Sequence, residues 1–205
     1  MFEEFLPRIN GNIRLLHAAP GVGAIDIYSN GDPIAMNISF SNITDYKAIN
    51  SGKSEIQIYN AGTYDTPIYT ETIEIIPNTT STLCVTLLES TIQLLKLKDG
   101  SPTGASNDSY LRFINLSPDA PLLTLSLPNG DILFNGVEYL ETTGYYPLSP
   151  GIYDFKVEAT TAAALSKFVR DTNLRGGYFH TLYIIGLFGN NPRLGSLFKQ
   201  DGIEK

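Results

Sequence analysis

The chain has no tryptophan, one cysteine, two histidines and two methionines among its 205 residues. Each shortage closes off a class of function. A lone Cys84 excludes a disulfide within the chain, and two widely separated histidines with one thiol are a poor supply of zinc ligands. His17 and His180 are the only side chains whose ordinary pKa lies near neutrality. A catalytic reading has to start from one of them, and no Gly-x-Ser-x-Gly nucleophile turn accompanies either. Charge is sparse as well: 17% of residues are charged and the net charge of −7 is spread over both halves. Without a basic stripe, nucleic acid is not expected as a partner, nor is an anionic membrane surface. The most apolar window, residues 181–188, falls far short of a spanning helix, and the acidic start Met1-Phe2-Glu3-Glu4-Phe5-Leu6-Pro7 is too short in apolar residues for a secretory signal. The sequence therefore predicts no membrane insertion, no catalytic residue, no metal and no cofactor.

What is present is a repeat. Ile13-Arg14-Leu15-Leu16-His17-Ala18-Ala19-Pro20 leads through Ile25-Asp26-Ile27-Tyr28 to Asn30-Gly31-Asp32. The pattern returns as Leu111-Arg112-Phe113-Ile114-Asn115-Leu116-Ser117-Pro118, then Leu123-Thr124-Leu125-Ser126 and Asn129-Gly130-Asp131. An offset of 98 residues, becoming 99 after the first turn, also superposes Thr44 on Thr143, Tyr46 on Tyr145, Gly52 on Gly151 and Thr82-Leu83 on Thr181-Leu182. Such self-similarity marks tandem copies of one domain. The organisation expected is a first repeat with its N-terminal leader over residues 1–100, a Gly-, Ser- and Pro-rich linker over 101–109 and a second repeat over 110–205.

Within each copy, short runs rich in Val, Ile, Thr, Tyr and Phe alternate with Gly, Pro, Asn and Asp. In the first half they fall at about 12–18, 24–29, 33–40, 44–49, 54–59, 68–76, 81–88 and 91–97. The Asn-Gly pairs signal two-residue hairpins, and Glu55-Ile56-Gln57-Ile58 should send its isoleucines inward and its polar residues to water. The same alternation reads Cys84 as a half-exposed residue on a threonine-bearing face. Amphipathic helices are not evident; Ala162-Ala163-Ala164-Leu165 offers at most one turn within residues 160–167. The fold class is all-β, two tandem immunoglobulin-like antiparallel sandwiches, without the Cys, Trp, Cys pattern of true immunoglobulin domains. The linker is long enough for independent motion of the halves.

The bend at His17-Ala18-Ala19-Pro20, leading into Asp26-Ile27-Tyr28, resembles the opening of the bacterial DUF4397 family. Repeats of that family run from an arginine through a His-Ala-Ser-Pro-Asp-Ala-Pro bend to a Val-Asp-Val-Tyr strand. The second copy keeps Ser117-Pro118-Asp119-Ala120-Pro121 but carries Asn115 in place of the histidine. The resemblance implies a tandem β-sandwich, often in exported, envelope- or spore-associated proteins, and no established activity.

Candidate residues fall into two groups. Arg14, His17, Pro20 and Asp26, with Arg112, Asn115, Pro118 and Asp119, form the repeated motif and are expected to be structural. A guanidinium in an apolar strand needs a partner, and Asp26 is the expected one for Arg14. His17 is expected to hydrogen-bond loop carbonyls, because Asn115 can do that but cannot act as a base. The second group is a contact surface: Tyr28, Tyr46, Tyr145 and Tyr146, with Phe2 and Phe5 in the leader, since tyrosine supplies rigid amphipathic contact area. A protein partner or self-association is the leading expectation, in a structural or adhesive module, and a glycan or small ligand the alternative.

Overall fold

The structure, a computed structural model, describes residues 9–102, 107–159 and 166–204. The leader residues Phe2, Phe5 and Leu6 and the alanine run at 162–164 lie outside them. Sixteen strands, β1 to β16 in chain order, make up the rest. In the first half β1 (Asn10–His17), β4 (Lys47–Asn50), β7 (Thr80–Leu88) and β8 (Thr91–Lys98) form a sheet in the order β4-β1-β7-β8. Its companion is built from β2 (Ile25–Ser29), β3 (Asp32–Ile38), β5 (Gly52–Asn60) and β6 (Tyr69–Ile75) in the order β3-β2-β5-β6. The second half repeats this plan. β9 (Ser109–Asn115), β12 (Tyr146–Leu148), β15 (Phe179–Ile185) and β16 (Gly195–Asp201) run β12-β9-β15-β16, and β10 (Leu123–Ser126), β11 (Ile132–Val137), β13 (Gly151–Ala159) and β14 (Ser166–Leu174) run β11-β10-β13-β14. The protein is all-β, two sandwiches in tandem. Pairing is antiparallel except for β1 with β7 and β9 with β15, which are parallel.

Turn chemistry sets the hairpins. Asn30 and Gly31 both have positive φ, 51° and 84°, as the tight hairpin turn requires. In the second copy Pro128 is inserted ahead of Asn129-Gly130, and only Gly130, at 98°, is positive. Proline fixes its own φ near −65°, so the chain turns at Leu127 instead, with the Gly130 amide donating to the Leu127 carbonyl at 2.9 Å. That insertion is the one-residue slip in the repeat.

Three cores hold the sheets in four layers. Ile13, Leu15, Ile25, Ile27, Ile56 and Ile58 pack inside the first sandwich, and Leu111, Phe113, Leu125, Phe155 and Val157 inside the second. A third cluster joins Leu16, Ala18, Cys84 and Leu97 of the first to Ile114, Leu116, Tyr183 and Ile185 of the second. The sheets containing β1 and β9 are therefore covered on both faces. Their central strands β1, β7, β9 and β15 are buried almost throughout, which is why their sequences read as near-continuous apolar runs. The outer sheets keep the alternation of a half-solvated strand: Ile56 and Ile58 are buried, while Glu55 is exposed and Gln57 half-buried. One expectation changes here: Cys84 is fully buried, because the face that would meet water is covered by the second sandwich. The sequence left open how the halves pack, and they share a core.

Candidate functional site

The densest polar cluster lies in that third core. The parallel register places Arg14 opposite Thr82 and Arg112 opposite Thr181. Each arginine points away from its own sandwich core, towards the other half. Arg14 Nε donates to Thr82 Oγ1 at 2.7 Å and Arg112 Nε to Thr181 Oγ1 at 3.0 Å. Nη1 of each reaches a carbonyl of the opposite half, Gln200 and Lys98, both at 2.8 Å. Nη2 then completes an ion pair across the seam: Arg14 with Asp201, and Arg112 with Asp99 at 2.6 Å.

The carboxylates are held from behind by their own halves. Asp99 Oδ2 accepts from Thr82 and Tyr46, at 2.6 and 2.7 Å; Asp201 Oδ2 accepts from Thr181 and, at 2.8 Å, from Tyr145. The same tyrosine hydroxyls accept amides from across the seam, Gly202 to Tyr46 and Gly100 to Tyr145, each at 3.1 Å. Arg14 lies over the Tyr46 ring and Arg112 over the Tyr145 ring, 4.8 and 4.7 Å from the centroids. These eight side chains exchange under a pseudo-two-fold relation of the halves, while Tyr183, whose hydroxyl accepts from Arg14 Nη2 at 3.4 Å, has Cys84 at its equivalent position. Asp99 and Asp201 each precede a glycine that fits closely: a side chain at Gly100 would strike the Phe179 ring, and one at Gly202, which has φ of 82°, the Gly100 carbonyl.

Electrostatically the cluster is two positive and two negative groups with almost no access to water; Arg14 is 4% exposed, Arg112 2% and Asp201 0%. Burial by itself lowers a guanidinium pKa, but for Arg14 the neighbouring Tyr183, Asp201, Tyr46 and Asp99 reverse that and hold it above its usual range. Arg112 behaves likewise beside Tyr145, Asp201, Tyr183 and Asp99. The Asp201 carboxyl is pushed up by burial and by Asp99, against the pull of both arginines. Burial also raises the Cys84 thiol, reinforced by Asp99, so it carries no thiolate for chemistry.

The expected partner of Arg14 is overturned. Asp26 lies on the outer sheet of the first sandwich, where Oδ1 accepts the Asn37 amide at 2.6 Å and Oδ2 the Gly62 amide at 2.8 Å. It satisfies a strand irregularity at Asn37, whose φ is 52°, and sits on the opposite side of the sandwich from the arginine. In the second copy Thr124 Oγ1 accepts the Gly136 amide at 3.1 Å in the same role.

The bends carry a matched pair of contacts. His17 Nδ1 accepts the Ala19 amide at 3.3 Å and Nε2 donates to the Gly23 carbonyl at 2.9 Å. Asn115 Oδ1 accepts the Ser117 amide at 3.1 Å and Nδ2 donates to the Val137 carbonyl at 3.4 Å. Both side chains accept from the backbone two residues on and donate to a carbonyl, His17 to its own bend and Asn115 to β11. Burial lowers the His17 pKa. Pro20 is buried and Pro118 half-buried; Asp119 accepts from Ser117 Oγ at 3.3 Å and from the Phe188 amide at 2.7 Å, tying the second bend to the loop at 186–194.

Of the tyrosines read as one contact surface, two are elsewhere. Tyr46 and Tyr145 have their hydroxyls committed inside the seam, because their carboxylate partners lie there. Tyr146 is exposed, with its ring edge-on to Phe134. Tyr28 belongs to a separate cluster with Tyr59 and Tyr64, with centroids 4.8 to 5.4 Å apart. His180 is buried against the face of the Phe198 ring with Nδ1 at 3.1 Å from Ser109 Oγ. That serine is itself fully buried. Among the described residues no three His, Cys, Asp or Glu side chains gather as a metal site, and no helix is long and apolar enough to cross a membrane.

Asp99 and Asp201 escape a reading of the sequence. Asp99 looks like the start of the polar linker, and the repeat offset has grown to 102 by Asp201 because the β15–β16 connection is longer than its counterpart. The available signal was the recurrence of Asp-Gly at the ends of the last strands, Asp99-Gly100 just after β8 and Asp201-Gly202 closing β16.

The fold and the seam define a class: tandem all-β sandwiches joined face to face by reciprocal buried ion pairs. The sequence profile of the family described as a domain of unknown function, DUF4397, matches residues 11–126, more than half of the chain. The chain belongs to this family. The match runs from β1 through the first sandwich to the end of β10, taking in both opening motifs. No curated protein matches the chain.

Two predictions follow from this geometry. Removing one partner of a buried pair leaves the other charge uncompensated, at a cost of about 3–5 kcal/mol; Arg14→Met and Asp201→Leu should each destabilise the protein by that order in urea unfolding, and the double variant by less than the sum. Additive losses would show that the pair is not coupled. His180 titrates in the other direction: burial, with the Arg175 charge, lowers its pKa from 6.5 to about 4. The unfolded chain thus binds the proton more tightly, so this contribution is complete above about pH 6.5 and is lost as pH falls towards 4. His180→Gln should flatten the fall in stability over that interval relative to wild type; parallel curves would refute the assignment.

Proposed function

We propose that the protein is a non-enzymatic structural or adhesive module that works through protein contacts as a single two-sandwich block, with each sandwich read as immunoglobulin-like. The observation that carries this reading is the seam. It fixes the relative orientation of the two halves and leaves the outer sheets with their edges β3, β6, β11 and β14, and the inner-sheet edges β4 and β12, on the surface. Exposed edges are templates for strand pairing, and apolar side chains stand out on these sheets, Ile152 at 73% exposure and Ile132 at 59% among them. The side chains with catalytic potential, His17, His180, Ser109 and Cys84, are buried. The family resemblance supports a bacterial surface, envelope or spore as the setting.

A carbohydrate- or small-ligand-binding role is the second reading. It is favoured by the Tyr28, Tyr59 and Tyr64 cluster, in which Tyr64 is 55% exposed and offers a ring face for stacking.

Light scattering over a concentration series, with a glycan array on the same sample, separates the two. Concentration-dependent association and a blank array are expected. A strict monomer with a reproducible glycan signal that Tyr64→Ala abolishes would overturn the proposal in favour of the second reading.

A further inference from the structure

The seam lies within one chain but has the form of a contact between identical molecules. Each half contributes the same set to it: an arginine, a threonine, a tyrosine and an aspartate, at Arg14, Thr82, Tyr46 and Asp99 and again at Arg112, Thr181, Tyr145 and Asp201. Residue i of one half meets residue j of the other, and j meets i, which is the defining property of an isologous interface. Nothing in the face presented by the first sandwich distinguishes its own second sandwich from that of another molecule. Only the tether does.

The tether permits either arrangement. Asp99 and Gly100 are held in the seam and the Asp108 carbonyl accepts the Gly177 amide, so residues 101–107 are the span between the halves, and an extended chain of that length reaches about 25 Å. An opened molecule would expose two arginines, two aspartates and the apolar surface of Leu16, Leu97, Ile114 and Tyr183, so an open state is strongly driven to cover the face again. We infer that the seam is a homotypic docking face for a second copy of this chain, so that two molecules pair by exchanging their second sandwiches across two equivalent seams. This rests on the reading of the protein as a contact module and adds the seam, with a second copy as its partner, to the outer sheets as a contact surface. A tether of this length sets an effective local concentration on the order of millimolar. The closed single chain therefore dominates in dilute solution, and exchange grows where the protein is crowded.

Charge reversal in the full chain tests this. Arg14→Asp sets two carboxylates against each other in the closed molecule; Asp201→Arg sets two guanidiniums against each other. In the exchanged pair of these two variants, one seam joins the introduced carboxylate to the introduced guanidinium and the other joins Arg14 to Asp201 as in wild type. Each variant alone should run as a destabilised monomer, and an equimolar mixture should convert to a one-to-one dimer. The chain carrying both substitutions restores complementarity within itself and should remain a monomer. If the single variants do not fold, wild-type protein of natural isotopic abundance is mixed with 15N-labelled protein up to about millimolar and examined by native mass spectrometry, where light–heavy dimers are expected to grow with concentration. A mixture that stays monomeric, or wild type with no light–heavy dimer, overturns the inference. Wild type that associates while the folded variants fail to complement each other retains the contact reading and removes the exchange.

Discussion

The crossed pairing of Arg14 with Asp201 and Arg112 with Asp99 is the constraint on which the rest of this structure depends. A guanidinium at 2–4% exposure has no water to solvate it, and the carboxylates that answer it belong to the opposite half of the chain. Within its own half Arg112 Nη2 lies 3.6 Å from Asp201 Oδ2, but the closer carboxylate of each arginine comes from across the seam. Each sandwich therefore has to be seated against the other, in the one orientation that brings both pairs into register at once.

The layering follows from that requirement. Once the faces of β1, β7, β9 and β15 that point away from their own cores are covered, they hold Leu16, Cys84, Ile114 and Tyr183 beside the charges, and their alternation of environment becomes core on one side and seam on the other. The parallel pairing of β1 with β7, and of β9 with β15, puts a threonine next to each arginine. The last strands, β8 and β16, deliver the aspartates. The two copies have diverged where divergence is tolerated: Cys84 faces the seam where the other copy has Tyr183, whose hydroxyl lies 3.4 Å from Arg14 Nη2, and His17 and Asn115 accept the backbone amide two residues on with different chemistry.

Much of the fold was legible because turn residues and β-branched runs act locally. The eight strand runs expected in the first half are all present, with ends shifted by up to about three residues, and the Asn-Gly turn at residue 30 has the conformation its composition implies. The site was only half legible. Arg14 and Arg112 stood out as charges in apolar strands, but their partners lie 187 and 13 residues away in the chain, and no local pattern links them. Asp26 was the carboxylate of the same repeated motif and lies on the wrong face of the sandwich. Cys84 was read as half-exposed because alternation within one strand reports which residues share a face, not whether a second domain covers it; Tyr46 and Tyr145 were read as contact residues from tyrosine's chemistry alone, which does not show where their hydroxyls are committed.

The central claim is that the seam makes the two halves one rigid body. Residual dipolar couplings measured on the full chain test it most directly, since each sandwich reports its own alignment tensor. The account predicts one shared tensor for residues of both halves in dilute solution. Two tensors differing in magnitude or orientation from that shared frame would mean that the sandwiches move independently, and would contradict it.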